Sequence, residues 1–257
     1  MKVQLLPSTF DESGKASSRQ HLPCFVINDN VAIDAGSLAM ACNDKQRAGI
    51  RDIVLSHAHL DHIAGLPLFV DDLYSVLIEP VCVHASQEVI DVLERDIFNW
   101  SVYPRFSELE NDFGPVMAYR PFTVGSEFSV KGLTIRPLAV NHRVPTSGFM
   151  ISDGRSTLAM SGDTSAMDQF WPSVNAHPDL KALLIECAFP IELEELAEIS
   201  HHLTPRSLAA ELEKFKSDCP IHIINIKPAF RETIIAQISD LKMDNITIFE
   251  VGRIYDL

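Results

Sequence analysis

The sequence predicts an α/β protein with two sheets' worth of strands and helices packed outside them. Strand-like apolar runs alternate with amphipathic stretches along all 257 residues. Several runs are apolar at consecutive positions, as in strands covered on both faces. A third sign is a clear helix start near the C-terminal end: Thr204 fits an N-cap, Pro205 the first helical position, and Leu208, Leu212 and Phe215 one apolar stripe.

The predicted strands, in order, are "VAIDAG" (31–36), "DIVLSH" (52–57), "SVLIE" (75–79), "VCVHA" (81–85), "GLTIRPLAV" (132–140), "GFMIS" (148–152), "STLAMSGD" (156–163), "ALLIEC" (182–187), "IHIINI" (221–226) and "NITIFEV" (245–251). Helices are predicted over 86–98, 205–216 and 230–241. Residues 99–121 hold no sustained period and read as an aromatic-rich loop or insertion. The acidic run "IELEELAEIS" (191–200) reads as a solvated helix face, or as a border of a site that turns polyanions away. Phe98, Trp100, Tyr103 and Phe106 read as packing residues, with base stacking or a homodimer contact as the alternatives.

At 46% apolar and 22% charged residues, the composition is that of an ordinary globular protein. Five scattered cysteines, with no Cys-x-x-Cys, point to reduced thiols. "MKVQLLPSTF" lacks the long apolar stretch and small-residue cleavage site of a signal peptide, and no apolar run reaches the roughly 18 residues a membrane span needs. The expected place is therefore the cytoplasm, with no membrane partner. A net charge of −14 without any basic patch argues against a nucleic-acid partner. A small anionic substrate is still admissible, because bound cations reverse the local field.

The chemistry concentrates in "LSHAHLDHIAG" (55–65), where His57, His59, Asp61 and His62 follow an apolar run. In extended chain, residues two apart face the same side, so His57 and His59 would grip one cation. A turn after Leu60 would aim Asp61 and His62 at a second. Imidazole and carboxylate donors suit zinc, with manganese or iron as alternatives. His142 and Asp163 lie at the ends of later predicted strands and supply a third nitrogen and a carboxylate able to bridge two metals.

The pattern His-x-His-x-Asp-His, then His142, then Asp163, resembles the metallo-β-lactamase superfamily of metal hydrolases. "HAHLDHIAGL", "IFNW" (97–100), "VNHRVPTSGFMI" (140–151), "SGDTS" (161–165), "SHHLTPRSLAAEL" (200–212) and "IKP" (226–228) are similar, in the same order, to class II cyclic nucleotide phosphodiesterases. That resemblance implies a four-layer αββα sandwich, with 1–257 forming one metal-hydrolase domain. It implies two divalent transition metals: one on His57, His59 and His142, the other on Asp61 and His62, with Asp163 bridging. Asp34 matches a superfamily aspartate just below the site and is expected to orient ligands.

One position departs from the family. Where a further histidine normally serves the second metal, this chain has Asn225, whose amide oxygen is a weaker donor. His222, three residues back, would face the other side of its strand. His201 is a substitute from the neighbouring loop, or a substrate-binding residue together with Ser147. The resemblance implies a hydroxide held by the metals attacking phosphorus, with Asp61 in the catalytic set. His202 would give the leaving oxygen its proton, and Glu186 is its candidate carboxylate partner.

The sequence thus supports a metal-dependent phosphodiesterase taking 3′,5′-cyclic nucleotides to 5′-monophosphates. Two alternatives stand beside it. One is another hydrolase of the fold, such as a thioesterase or a mononuclear-iron sulfur dioxygenase. The other is a metal-degenerate, non-catalytic nucleotide-binding protein.

Overall fold

The computed structural model describes residues 1–257, and they divide into two compact units. One comprises Lys2–Thr123 with Val251–Asp256, the other Val124–Glu250 with the two terminal residues.

In the first unit a seven-stranded sheet runs Ile254–Asp256, Lys2–Leu5, Phe25–Ile27, Val31–Ile33, Asp52–Val54, Val81–Ala85, Met117–Pro121. The first four strands pair antiparallel and the last four parallel. Parallel pairs need crossover connections, and helices Leu60–Ile63, Gly65–Leu73 and Gln87–Val92 lie in those crossovers. Leu66, Phe69 and Val70 pack with Val26, Ile53 and Val83 in its core.

The second unit repeats this plan with a sheet ordered Ile246–Ile248, Ile221–Ile224, Leu180–Glu186, Thr157–Met160, Ser147–Ser152, Leu133–Ala139, Phe128–Val130. Here the first four strands pair parallel and the rest antiparallel. Helices Phe170–Asn175, Pro205–Leu212 and Arg231–Ser239 lie in the connections, and Phe170, Leu208 and Ile234 pack with Leu183, Ile185 and Ile223. The mixed α/β class with two large sheets is as the sequence predicts.

Three local expectations need correction. "SVLIE" is no strand: the N–H groups of Val76 and Leu77 both donate back to Leu73 O, so the chain continues to wind off the preceding helix. Of its apolar residues only Leu77 is buried, while Ile78 is 74% exposed. The stretch 99–121 is not all loop, because Met117–Pro121 forms the sheet edge. Its aromatics divide as well: Phe98 and Phe106 are buried against each other at 5.9 Å between ring centroids, and Trp100 is exposed. Last, the helix at 205 stops at Leu212. Lys214 and Phe215 close tight turns onto Glu211 and Leu212, and Phe215 comes against Trp171.

Capping fixes the start of that helix. Thr204 Oγ1 accepts from Ser207 N–H, and Ser207 Oγ accepts from Thr204 N–H. No helix is long and apolar enough to cross a membrane.

A buried carboxylate ties this helix to the segment following Asp163. Glu211 accepts from Trp171 Nε1 at 2.8 Å, Met167 N at 3.2 Å and Lys214 Nζ at 2.7 Å. Removing an acceptor of this kind strands its donors, which costs about 1–3 kcal/mol. Glu211→Ala is therefore expected to lower the unfolding free energy by that amount, read as a lower urea midpoint with an unchanged m-value. A variant as stable as the parent would show that the network contributes nothing net.

Candidate metal centre

In the first unit the strand Asp52–Val54 delivers the chain into Ser56 and His57, and His59 is the N-cap of helix Leu60–Ile63. The three imidazoles of this stretch lie close together. Ring centroids of His57 and His59 are 4.7 Å apart, and those of His57 and His62 are 4.1 Å apart. His57 and His62 are buried, and Asp61, on the first turn, places Oδ2 3.9 Å from His62 Nε2.

Asp34 organises this group. Its carboxylate accepts Ser56 N at 2.8 Å, Ser56 Oγ at 2.9 and 2.8 Å, and His62 Nδ1 at 2.7 Å. Carboxylate oxygens only accept, so His62 carries its proton on Nδ1 and presents a lone pair at Nε2. The Ser56 hydroxyl spends its one hydrogen on Asp34. It must then accept from His57 Nδ1, 2.9 Å away, which fixes the same tautomer there. The loop bearing Asp34 lies hard against the ligand helix: Ala35 N donates to His62 O at 2.7 Å, and a Cβ on Gly36 would fall 2.1 Å from Asp61 O.

In the second unit His142 follows strand Leu133–Ala139 and donates from Nδ1 to His201 O at 3.0 Å, so its Nε2 again offers the lone pair. Asp163 follows strand Thr157–Met160 and is buried, and Asn225 Nδ2 donates to its Oδ1. This places Asn225 beside the bridging candidate, with its amide N–H turned to the carboxylate. His222 is elsewhere, bonded to Thr247 Oγ1 at 2.8 Å. His201 caps helix Glu194–Ser200 in left-handed backbone, with its ring bonded to Asn141 Oδ1 at 3.1 Å. Ser147 is buried at the start of its strand, opposite Ala139.

His202 lies beside Glu186, Nδ1 to Oε1 at 2.8 Å, its ring edge-on to His142 at 5.0 Å. Glu186 is fully buried and also accepts Thr164 N at 2.6 Å and Leu203 N at 3.3 Å. Burial pushes the Glu186 carboxyl above its ordinary value, against the pull of the neighbouring imidazole. For His202 burial works downward, but the charge and hydrogen bond of Glu186, with Asp163 adding to them, leave the imidazole above the usual histidine value. A proton on its Nε2 is thereby favoured.

Ligand-type donors thus occur in both units: His57, His59, Asp61 and His62 in the first, His142 and Asp163 in the second. Imidazole nitrogens and a carboxylate oxygen, with the ring tautomers of His57 and His142 set for Nε2 ligation, are the donor set that suits a divalent transition metal. Three orienting residues escaped the sequence reading: Ser56, Asn141 and Thr164. Each is a small polar neighbour of a ligand in sequence, which is the only signal they offer.

Residues 30–223 match the Beta-lactamase superfamily domain. A probable 3′,5′-cyclic-nucleotide phosphodiesterase of Yersinia pestis is 29% identical over 212 residues, covering 72% of this chain and 60% of that protein. A nuclear ribonuclease Z of Triticum aestivum is 30% identical over 108 residues, 41% of this chain and 57% of the relative. The matches thus span less than two thirds of either relative. Among solved structures, unliganded yeast PDE1 has the same fold, with a TM-score of 0.79 at 15% identity over 100% of this chain and 99% of that one.

Loss of an orienting partner typically weakens metal binding about 10–100-fold. Asp34→Asn is expected to do so here, measured by competition with a chromogenic chelator on protein whose circular dichroism is unchanged. Parent-like affinity in that variant would remove Asp34 from the site.

Proposed function

The chain belongs to the metallo-β-lactamase superfamily of metal-dependent hydrolases, and from that premise we propose that it hydrolyses 3′,5′-cyclic nucleotides to 5′-monophosphates. The buried Glu186–His202 pair carries this reading: it is a proton donor held next to the ligand His142. The Yersinia pestis relative, named a probable 3′,5′-cyclic-nucleotide phosphodiesterase, supports the same substrate class.

His57, His59 and His142 would hold one divalent metal and Asp61 and His62 a second, with Asp163 between them; zinc suits the donors best, manganese and iron next. Cations bound there would supply Lewis acidity at the phosphoryl oxygens and acidify water. The protein's own part is positional. Asp34 and Ser56 hold the rings of His62 and His57, and the carbonyl of His201 holds His142. Glu186 fixes His202 so that a proton at Nε2 goes to the departing 3′-oxygen. Asn225, by donating to Asp163, draws on one of the oxygens a bridging carboxylate would use.

General acid catalysis contributes about 10²–10⁴-fold. His202→Ala is expected to reduce kcat on cyclic AMP by that factor at unchanged metal content, read by elemental analysis. A fully metallated parent without turnover on cyclic AMP or cyclic GMP, matched by an identical variant, would sink the proposal. At Asn225→His, an imidazole replaces a neutral amide, and the metal count per chain is expected to rise. An unchanged count would place the second site's missing ligand elsewhere.

A further inference from the structure

The acidic stretch at 191–200 finds a role in the cavity beside His202. That cavity holds about 340 Å³, and among the residues lining it are Asn141, Ser165, Glu194, Glu198, His201 and His202. Its size is at the lower end for small-molecule sites. Helix Glu194–Ser200 is stitched to the histidine pair: His202 N donates to Ala197 O at 2.8 Å and His201 N to Glu198 O at 3.2 Å. The wall bearing Glu198 therefore keeps a fixed place relative to the proton donor.

The two carboxylates on that wall differ. Glu194 is paired with the guanidinium of Arg206, which offsets its charge. Glu198 is exposed and has no such cation. Apart from the two histidines, the remaining polar lining, Asn141, Ser165, Thr204 and Ser207, is neutral. A group entering this cavity thus meets a hydrogen-bond acceptor of full negative charge. A sugar hydroxyl or a base amino group would bond to it, while a further phosphate would be repelled.

We propose that Glu198 is a specificity-determining residue: in the His202 cavity it accepts a hydrogen bond from the donor-bearing nucleoside part of a mononucleotide diester, and it turns away chains that carry additional phosphates. This rests on the phosphodiesterase reading above.

The test uses the full chain loaded with metal, a fluorescein-labelled six-nucleotide single-stranded DNA as polyanion probe, and cyclic AMP as substrate. By fluorescence anisotropy at low salt, Glu198→Gln is expected to bind the probe about threefold more tightly than the parent and Glu198→Lys about tenfold, with the gain fading near 0.5 M salt as screening shortens the reach of the charge. In kinetics both variants are expected to raise KM for cyclic AMP rather than to lower kcat, because the lost contact is to the nucleoside. Probe binding equal to the parent in Glu198→Lys, or an unmoved KM in both variants, overturns the assignment. If the parent turns over no cyclic nucleotide, the phosphodiesterase reading fails, whereas the anisotropy comparison still decides whether Glu198 excludes polyanions.

Discussion

Left-handed backbone at the turns that carry the functional side chains is the constraint on which the site depends. Asp34 has φ +58°, Gly162 +61°, His201 +57° and Asn225 +54°. Three of these four have a Cβ, and for such a residue this conformation costs roughly 1–2 kcal/mol. The cost falls where the chain leaves a strand or helix and must redirect the next side chain. Gly162 turns the backbone so that Asp163 points inward after Thr157–Met160. His201 ends its helix so that His202 meets Glu186 while its own carbonyl meets His142. Asn225 leaves Ile221–Ile224 and reaches Asp163. Strain of this sort persists only where surrounding contacts over-determine it, and the hydrogen bonds of Asp34, His201 and Asn225 are those contacts.

Their absence from sequence patterns explains what could and could not be read. Apolar runs marked nine of the ten predicted strands correctly, because burial on both faces leaves a composition that survives without coordinates. "SVLIE" failed because β-branched and apolar residues also occur where a helix unwinds, and only the backbone bonds to Leu73 distinguish the cases. Met117–Pro121 was hidden because an edge strand ending in Arg-Pro has lost the alternation that would reveal it. In the candidate site, the ligand-type residues crowded into 57–62 stood out directly, and His142 and Asp163 were candidates through their strand-end positions. Ser56, Asn141 and Thr164 were not, since a hydroxyl or amide next to a ligand is ordinary until its hydrogen bond is seen.

Composition limits the site as well as the fold. A chain of net charge −14 that buries Asp34 and Glu186 has to offset two desolvated carboxylates. Neither is met by a lysine or arginine in its hydrogen bonds. Asp34 accepts from Ser56 and His62, and Glu186 from His202, Thr164 and Leu203. Using imidazole and backbone N–H as partners keeps each carboxylate hydrogen-bonded without filling the neighbourhood with fixed cations, which would compete with a metal for the same field.

The same carboxylate–imidazole pair accordingly appears twice with opposite results. Asp34 holds His62 through Nδ1, and Glu186 holds His202 through Nδ1, at nearly equal distances of 2.7 and 2.8 Å. In both, the carboxylate accepts from Nδ1 and turns Nε2 outward. What Nε2 then binds depends on what lies beyond it. Beyond His62 stands Asp61, at 3.9 Å, a second ligand-type group, so on the proposed reading Nε2 turns to a cation. Beyond His202 lie the ring of His142, edge-on at 5.0 Å, and the cavity lined by Asn141, Ser165 and Glu198, so on the proposed reading its Nε2 keeps a proton for a substrate. A histidine ligating a metal through Nε2 has no proton there to give. On the proposed reading, the division of labour between ligand and acid therefore follows from which group shares each imidazole's outer edge, and not from the carboxylate behind it.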